Sequence, residues 1–158
     1  MKKNPLPKAE DESDRKLLAD IARVGWHLIG IPGDEDGPSY VFSVGLYHTF
    51  DQPEILILGL DFQIGSHLIN DIGDLMKSGT RVANRDVVDG IADGFPLGFR
   101  TVTHEYYRPY IGYALWFYES FDFPVLQCLW PDRESRFPWD LDCDDSCRRI
   151  QRLSHDDE

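Results

Sequence analysis

Residues 54–60, EILILGL, constrain this chain more than any other segment. The run has no polar face after its first residue, and Pro53 and Asp61 bound it. An apolar run of this length between breakers predicts a central strand covered on both faces. A helix follows directly. From Phe62 to Lys77 an amphipathic pattern places Ile64, Leu68, Ile69, Ile72, Leu75 and Met76 on one stripe, with Gly79 as a cap. A second lies upstream from Ser13, with Leu17, Leu18, Ile21 and Val24 on one face, acids at its start and Gly25 at its end. Between them, Trp26–Ile31 and Tyr40–Leu46 flank the turn-rich PGDEDGP and predict a hairpin.

Downstream, Arg81–Val88 and Leu97–Val102 read as strands, and Pro109 opens a helix through Tyr110–Glu119. Aromatics at 110, 113, 116, 117 and 118 give that helix more than one bulky face, so it is expected to be covered on two sides. Val125–Trp130 is a further strand, the turn Pro131–Ser135 follows, and Arg136–Trp139 reads as a short returning strand. The element order predicts an α+β fold with a mostly antiparallel, barrel-like sheet, similar to a split barrel, and about three helices. Residues 1–12 read as a loose arm, 13–140 as one domain, and 141–158 as an acidic polar tail with a short helix near Ser146–Leu153.

A chain of 158 residues needs neither metal nor disulfide to hold a core. Its 28 acidic against 16 basic residues give a net charge of −12. That balance argues against nucleic-acid backbones and anionic membranes as partners; the acidic body serves solubility or, alternatively, attracts a basic protein partner. The polar, charged start has no apolar signal core, so a cytoplasmic location is expected. Cysteines 128, 143 and 147 are read as free thiols, Cys128 as a small core residue.

Chemistry-bearing candidates each carry a plain structural alternative. Ser43 lies in V-F-S-V-G, which lacks the first glycine of a nucleophile elbow and sits in predicted strand geometry. His48 and His104 follow strands, where functional groups gather, and both also suit ordinary hydrogen-bonded loops. No histidine spacing marks a metal, and Cys143, Cys147 and His155 make only a weak set. Glu54 opens the apolar strand and Asp132 follows Trp130-Pro131. Such carboxylates accept backbone amides or, paired, serve as acid and base. Trp26, Tyr40, Tyr107, Trp130 and Trp139 belong to an aromatic excess that exceeds simple core need and suits a pocket or interface. Trp130 and Trp139, on the two arms of the last hairpin, are expected to share one patch.

Gly25-Trp26-His27, Phe42-Ser43-Val44-Gly45-Leu46, Pro53–Leu60, Gln127-x-x-Trp130-Pro131-Asp132 and Phe137-Pro138-Trp139 occur in that order. This ordered set resembles the bacterial family catalogued as domain of unknown function 4262, over about residues 14–140. The resemblance implies no activity. At the level of element order, the hairpin, Pro-Glu strand and helix are also similar to the split barrel of flavin reductases, which implies FMN at a dimer interface. The reading that follows is a non-catalytic, cofactor-free binding module for a protein partner, of an antitoxin or immunity type. Alternatives are an FMN or other cofactor binder with a redox role, and a hydrolase using Asp132, Glu54 or a histidine. A homodimer stays open beside the protein partner.

Overall fold

The computed structural model describes residues 6–152. Helix α1 (Glu12–Val24) starts where the Asp11 side chain accepts the Asp14 amide at 2.9 Å. Strands β1 (His27–Ile31) and β2 (Tyr40–Val44) form the expected hairpin, with His27 opposite Val44 and Ile31 opposite Tyr40. A single-turn helix α2 (Leu46–Phe50), which sequence periodicity does not mark, leads into β3 (Glu54–Leu58). Helix α3 (Phe62–Lys77) is capped by Asp61, which accepts the Ile64 amide at 2.9 Å. There follow β4 (Val87–Ala92), β5 (Phe95–Thr101), a 3-10 turn (His104–Tyr106), α4 (Tyr107–Tyr110), α5 (Gly112–Tyr118), β6 (Val125–Leu129) and α6 (Asp145–Ile150).

The six strands form one open sheet in the order β1-β2-β3-β6-β5-β4. Four neighbouring pairs are antiparallel, but β3 and β6 run parallel at the centre, with Glu54 opposite Val125. The expected antiparallel, barrel-like sheet is therefore corrected to an open mixed sheet, and about three helices to six among the described residues. The cause lies in β3 itself. Ile55 and Ile57 pack against α3 residues Leu68, Ile69 and Ile72, whereas Leu56 and Leu58 pack against Leu17 and Ile21 of α1 and Phe117 of α5. A strand apolar on both faces needs a cover on each side, and an open sheet between two helical layers supplies both.

Other segments depart from expectation for local reasons. The strand expected over Arg81–Val88 begins only at Val87, because Asp86 turns back to accept the Ala83 amide at 2.8 Å. The helix expected after Pro109 is broken at Ile111 (φ −126, ψ 44), just before helix-poor Gly112. Arg136–Trp139 is not a strand. Asp140 accepts the Phe137 amide at 2.8 Å, and the Phe137 and Trp139 rings stack at 4.5 Å.

Residues 141–152 do not behave as a tail. Cys143, Cys147 and Gln151 are buried, Gln151 completely. The Gln151 side chain accepts the Trp130 amide at 2.9 Å and donates to the Trp130 carbonyl at 2.9 Å. Its backbone carbonyl accepts Gln127 Nε2 at 2.7 Å. One glutamine thus terminates β6 as another strand would, which a low apolar content concealed. Residues 1–5 of the arm, and 153–158 with His155, lie outside the described residues. Among the described residues no helix is long and apolar enough to cross a membrane.

Truncation after Asp140 should therefore destabilise the protein, contrary to the expectation of a dispensable tail. Gln151→Ala alone should cost about 1–3 kcal/mol for each buried Trp130 backbone group it leaves unpaired. Urea unfolding followed by tryptophan fluorescence measures both.

Candidate functional site

Glu54 stands at the start of β3 with its side chain sealed in the protein. Its carboxylate accepts Ser43 Oγ at 2.6 Å and the amides of Gly45 (2.8 Å), Leu46 (3.2 Å) and Tyr47 (3.3 Å), together with the Tyr118 hydroxyl. Ser43 Oγ in turn accepts the Ile55 amide at 2.9 Å, and the Tyr118 oxygen accepts the His48 amide at 3.1 Å. Burial pushes the Glu54 carboxyl above its ordinary pKa, and the hydrogen bonds from Ser43, Tyr118, Gly45 and Tyr47 pull against it. Burial, and then the neighbouring Glu54 charge, raise the Tyr118 phenol. Gly45 completes the niche. It sits at φ 120 with the Gly25 carbonyl oxygen 2.8 Å from where a Cβ would stand, so a side chain is excluded by conformation and by space.

This network settles the chemistry open to Ser43 and Glu54. Neither is exposed, and the serine proton is committed to a carboxylate that already holds several other donors. Asp132 is remote from them. Glu54 is level with Val125, the first residue of β6, whereas Asp132 lies beyond the last, Leu129. The length of β6, about 13 Å from its first Cα to its last, lies between the two positions. They do not form an acid–base pair.

Asp132 organises its own turn. Its Oδ1 accepts the amides of Glu134 (2.9 Å) and Arg136 (2.9 Å), and its Oδ2 accepts that of Asp144 (2.8 Å). The Asp144 amide first, then those of Arg136 and Glu134, hold its pKa below the ordinary 3.8. Trp130 donates to the Leu58 carbonyl at 3.0 Å and packs with the core on the α3 side. Trp139 lies over Gly98, with the Arg100 guanidinium 3.7 Å from its ring. Gly98 alternates with Leu97 and Phe99, which face α3, so Trp139 lies on the opposite face of the sheet from Trp130. The expected shared indole patch is overturned. It presumed two hairpin arms, and the second arm is a turn.

Two open clefts hold further candidates. The first, about 540 Å³, runs beside β1 between α1 and α3. Trp26, His27 and Leu28 form its floor, Val24 and Phe62 its apolar walls, and Lys16, Asp20, Arg23, Asp74 and Lys77 its rim. Trp26 Nε1 donates to Asn70 at 2.9 Å, and His27 Nδ1 lies 2.7 Å from Asp20. Phe62, half-exposed, lies on bare Gly30, where a Cβ would come within 2.2 Å of the ring. The second cleft, about 600 Å³, opens at the Glu54 end of the sheet and is lined by Tyr47, His104, Tyr107, Phe121 and Asp122 among others. His104 is exposed and stands edge-on to Tyr107 at 4.9 Å. The Tyr107 hydroxyl donates to the Phe123 carbonyl at 2.6 Å, and burial raises its pKa to about 12. Tyr40 and His48 stand outside both clefts. Tyr40 packs on Tyr110 at 5.2 Å, and the His48 ring stands edge-on to Phe117 at 5.6 Å.

The sequence candidates therefore divide among several places rather than forming one site. Tyr118, Phe62 and Tyr47 were missed as site residues. Tyr118 and Phe62 read as ordinary helical aromatics and Tyr47 as a residue just past a strand, and only tertiary contact gives each a role. Among the described residues, no group of three His, Cys, Asp or Glu side chains gathers to hold a metal.

Glu54→Ala should lower stability by about 3–5 kcal/mol, because it strands a nest of buried donors. Glu54→Gln should cost about 1–3 kcal/mol, because its amide must face at least one backbone N–H. Asp132 provides a pH test. Its folded pKa is depressed, so its stabilisation is present above the ordinary value of 3.8 and is lost as pH falls through the folded value. Acid titration of stability should therefore show a smaller loss across that window in Asp132→Asn than in the unmodified chain.

The comparisons with known proteins add one finding. No curated protein and no solved structure matches the chain. The family model described as Domain of unknown function (DUF4262) matches residues 20–144. Within that range lie Ser43, Gly45 and Glu54 of the niche, and Gln127, Trp130, Asp132, Phe137 and Trp139 at the other end of β6. By a match over most of its length, the chain belongs to the DUF4262 family.

Proposed function

We propose that this protein is a non-catalytic binding module that takes an extended segment of a partner protein alongside β1. The observation that carries this reading is an edge strand without guards at the bottom of a cleft. Edge strands present unpaired backbone groups, and proteins protect them with charges, bulges or prolines. The opposite edge, β4, has such protection: Asp89 within it, a register irregularity between Val88 and Ala92, and Asp93 at its turn. Strand β1, His-Leu-Ile-Gly-Ile, contains no carboxylate, lysine, arginine or proline, and among the described residues no strand pairs beyond it.

Helices α1 and α3 wall this edge, and exposed Ile31, Phe62 and Ile64 extend an apolar surface at its end. An added strand would bond to the β1 backbone and place alternate side chains toward Val24, Leu28 and Phe62. The cleft carries three cations and two carboxylates, nearly neutral on a chain of net charge −12. Recognition in the cleft therefore rests on backbone and apolar contact, while the acidic remainder steers a basic partner toward the molecule. The hydrolase alternative named Asp132, Glu54 or a histidine; Glu54 is buried, and Asp132 holds three backbone amides of its own turn. The FMN alternative rested on a split barrel, and the open sheet removes that footing.

A displayed library of random ten-residue peptides tests the reading. Selected binders should alternate apolar residues and be enriched in Lys or Arg. Ile31→Lys, a guard placed on the edge, should leave the protein folded and weaken their binding by at least about tenfold, or ~1.4 kcal/mol. Selected peptides that bind the Ile31→Lys protein unchanged would refute it.

A further inference from the structure

We infer that the aromatic cleft at the Glu54 end of the sheet is a receptor for an arginine side chain of a basic protein partner. This site is separate from β1, and the inference does not depend on strand addition there. The cleft offers the chemistry an organic cation seeks. Tyr47, His104 and Phe121 present rings at its surface, and the Tyr107 ring lies behind them. Ring faces carry partial negative charge and attract a guanidinium laid over them.

Three observations set the preference for a cation. Asp122, an exposed carboxylate, lines the cleft. Burial first, and then the charge of buried Glu54, raise the Tyr107 phenol, so a carboxylate stands behind the inner wall of the cleft. Finally, the aromatic wall already attracts one guanidinium. Arg108 lies 5.4 Å over Phe121, whose ring also stacks on Tyr107 at 6.0 Å, and Arg108 is not among the residues that line the cleft. The basic side chains beside the site are Arg108 and His104. The carboxylates are Asp122, buried Glu54, and Glu105, which accepts the Thr103 hydroxyl at 3.1 Å.

A guanidinium suits this geometry better than an ammonium. Its flat face stacks on Tyr47 or Phe121 while its edge N–H groups reach the Asp122 carboxylate. The space, about 600 Å³, exceeds what one side chain fills, so flanking residues of the partner have room beside Thr101, Thr103 and Pro124. Tyr47 is also positioned with care. Its amide donates to Glu54 at 3.3 Å and its ring stands edge-on to Tyr118 at 5.8 Å, so the niche holds one wall of the cleft in place.

The test uses the peptide acetyl-Gly-Arg-Gly-amide and its citrulline counterpart, which has the same shape without the charge. Each is titrated into the isotope-labelled full chain at constant ionic strength, and shifts of assigned resonances are followed by NMR. The arginine peptide should shift Tyr47, His104, Phe121 and Asp122, and the citrulline peptide should bind several-fold more weakly. Asp122→Asn, an exposed change that leaves the core alone, should weaken the arginine peptide by about three- to tenfold and reduce its salt dependence. Phe121→Leu should weaken it without changing that salt dependence. Equal binding of the citrulline peptide, shifts confined to other parts of the surface, or unchanged affinity in Asp122→Asn would each overturn the inference. Loss of the β1 reading by the Ile31→Lys experiment would leave it standing.

Discussion

One buried carboxylate ties the centre of the sheet to the elements around it. Glu54 opens β3, and its acceptor oxygens hold the amides of the β2–α2 turn, the Ser43 hydroxyl and the Tyr118 hydroxyl of α5. A carboxylate taken out of water is costly unless its lone pairs are met, and here several donors meet them. The donors depend on Glu54 in return, because the amides of Gly45, Leu46 and Tyr47 lie at a helix start with no strand partner. The turn, the end of α5 and the first residue of β3 thus keep one another in place, and the wall of the aromatic cleft inherits that rigidity through Tyr47.

The same central strand explains why the molecule has edges to use. Because β3 is apolar on both faces, helices occupy both sides of the sheet and the sheet stays open. An open sheet has two edge strands, and this chain treats them differently. β4 carries charge and irregular register, whereas β1 is regular, contains no Asp, Glu, Lys or Arg, and is set in a cleft between α1 and α3. The asymmetry supports the proposed use of β1 as a docking edge. In the same architecture, residues that look chemical in the sequence serve mainly to hold structure: Asp132 caps its turn through three amides, and Gln151 closes β6.

The acidic character of the chain is uneven, and that matters for partners. The β1 cleft is nearly neutral, with Lys16 and Arg23 both close to Asp20, and negative charge dominates elsewhere. In the proposed reading, long-range attraction of a basic protein and short-range recognition by backbone or rings are different steps made by different parts of the surface. A net charge describes the first step and says nothing about the second.

By itself the sequence determined helices α1 and α3, the β1–β2 hairpin and the two-sided burial of β3, because those depend on local periodicity and on residues near one another in the chain. It also carried the family, since Phe42–Leu46, Pro53–Leu60 and the Trp130–Trp139 region stand in order. Tertiary structure alone decided the parallel β3–β6 pair, whose residues are about seventy positions apart. It decided that Ser43 and Glu54 meet in a buried internal niche, because burial and donor count are properties of the assembled neighbourhood. It also placed Trp130 and Trp139 on opposite faces and drew 141–152 into the fold, since a single well-placed Gln151 leaves no trace in apolar periodicity. What a residue can reach is set by its neighbours in space, and in an α+β chain most of those are distant in sequence.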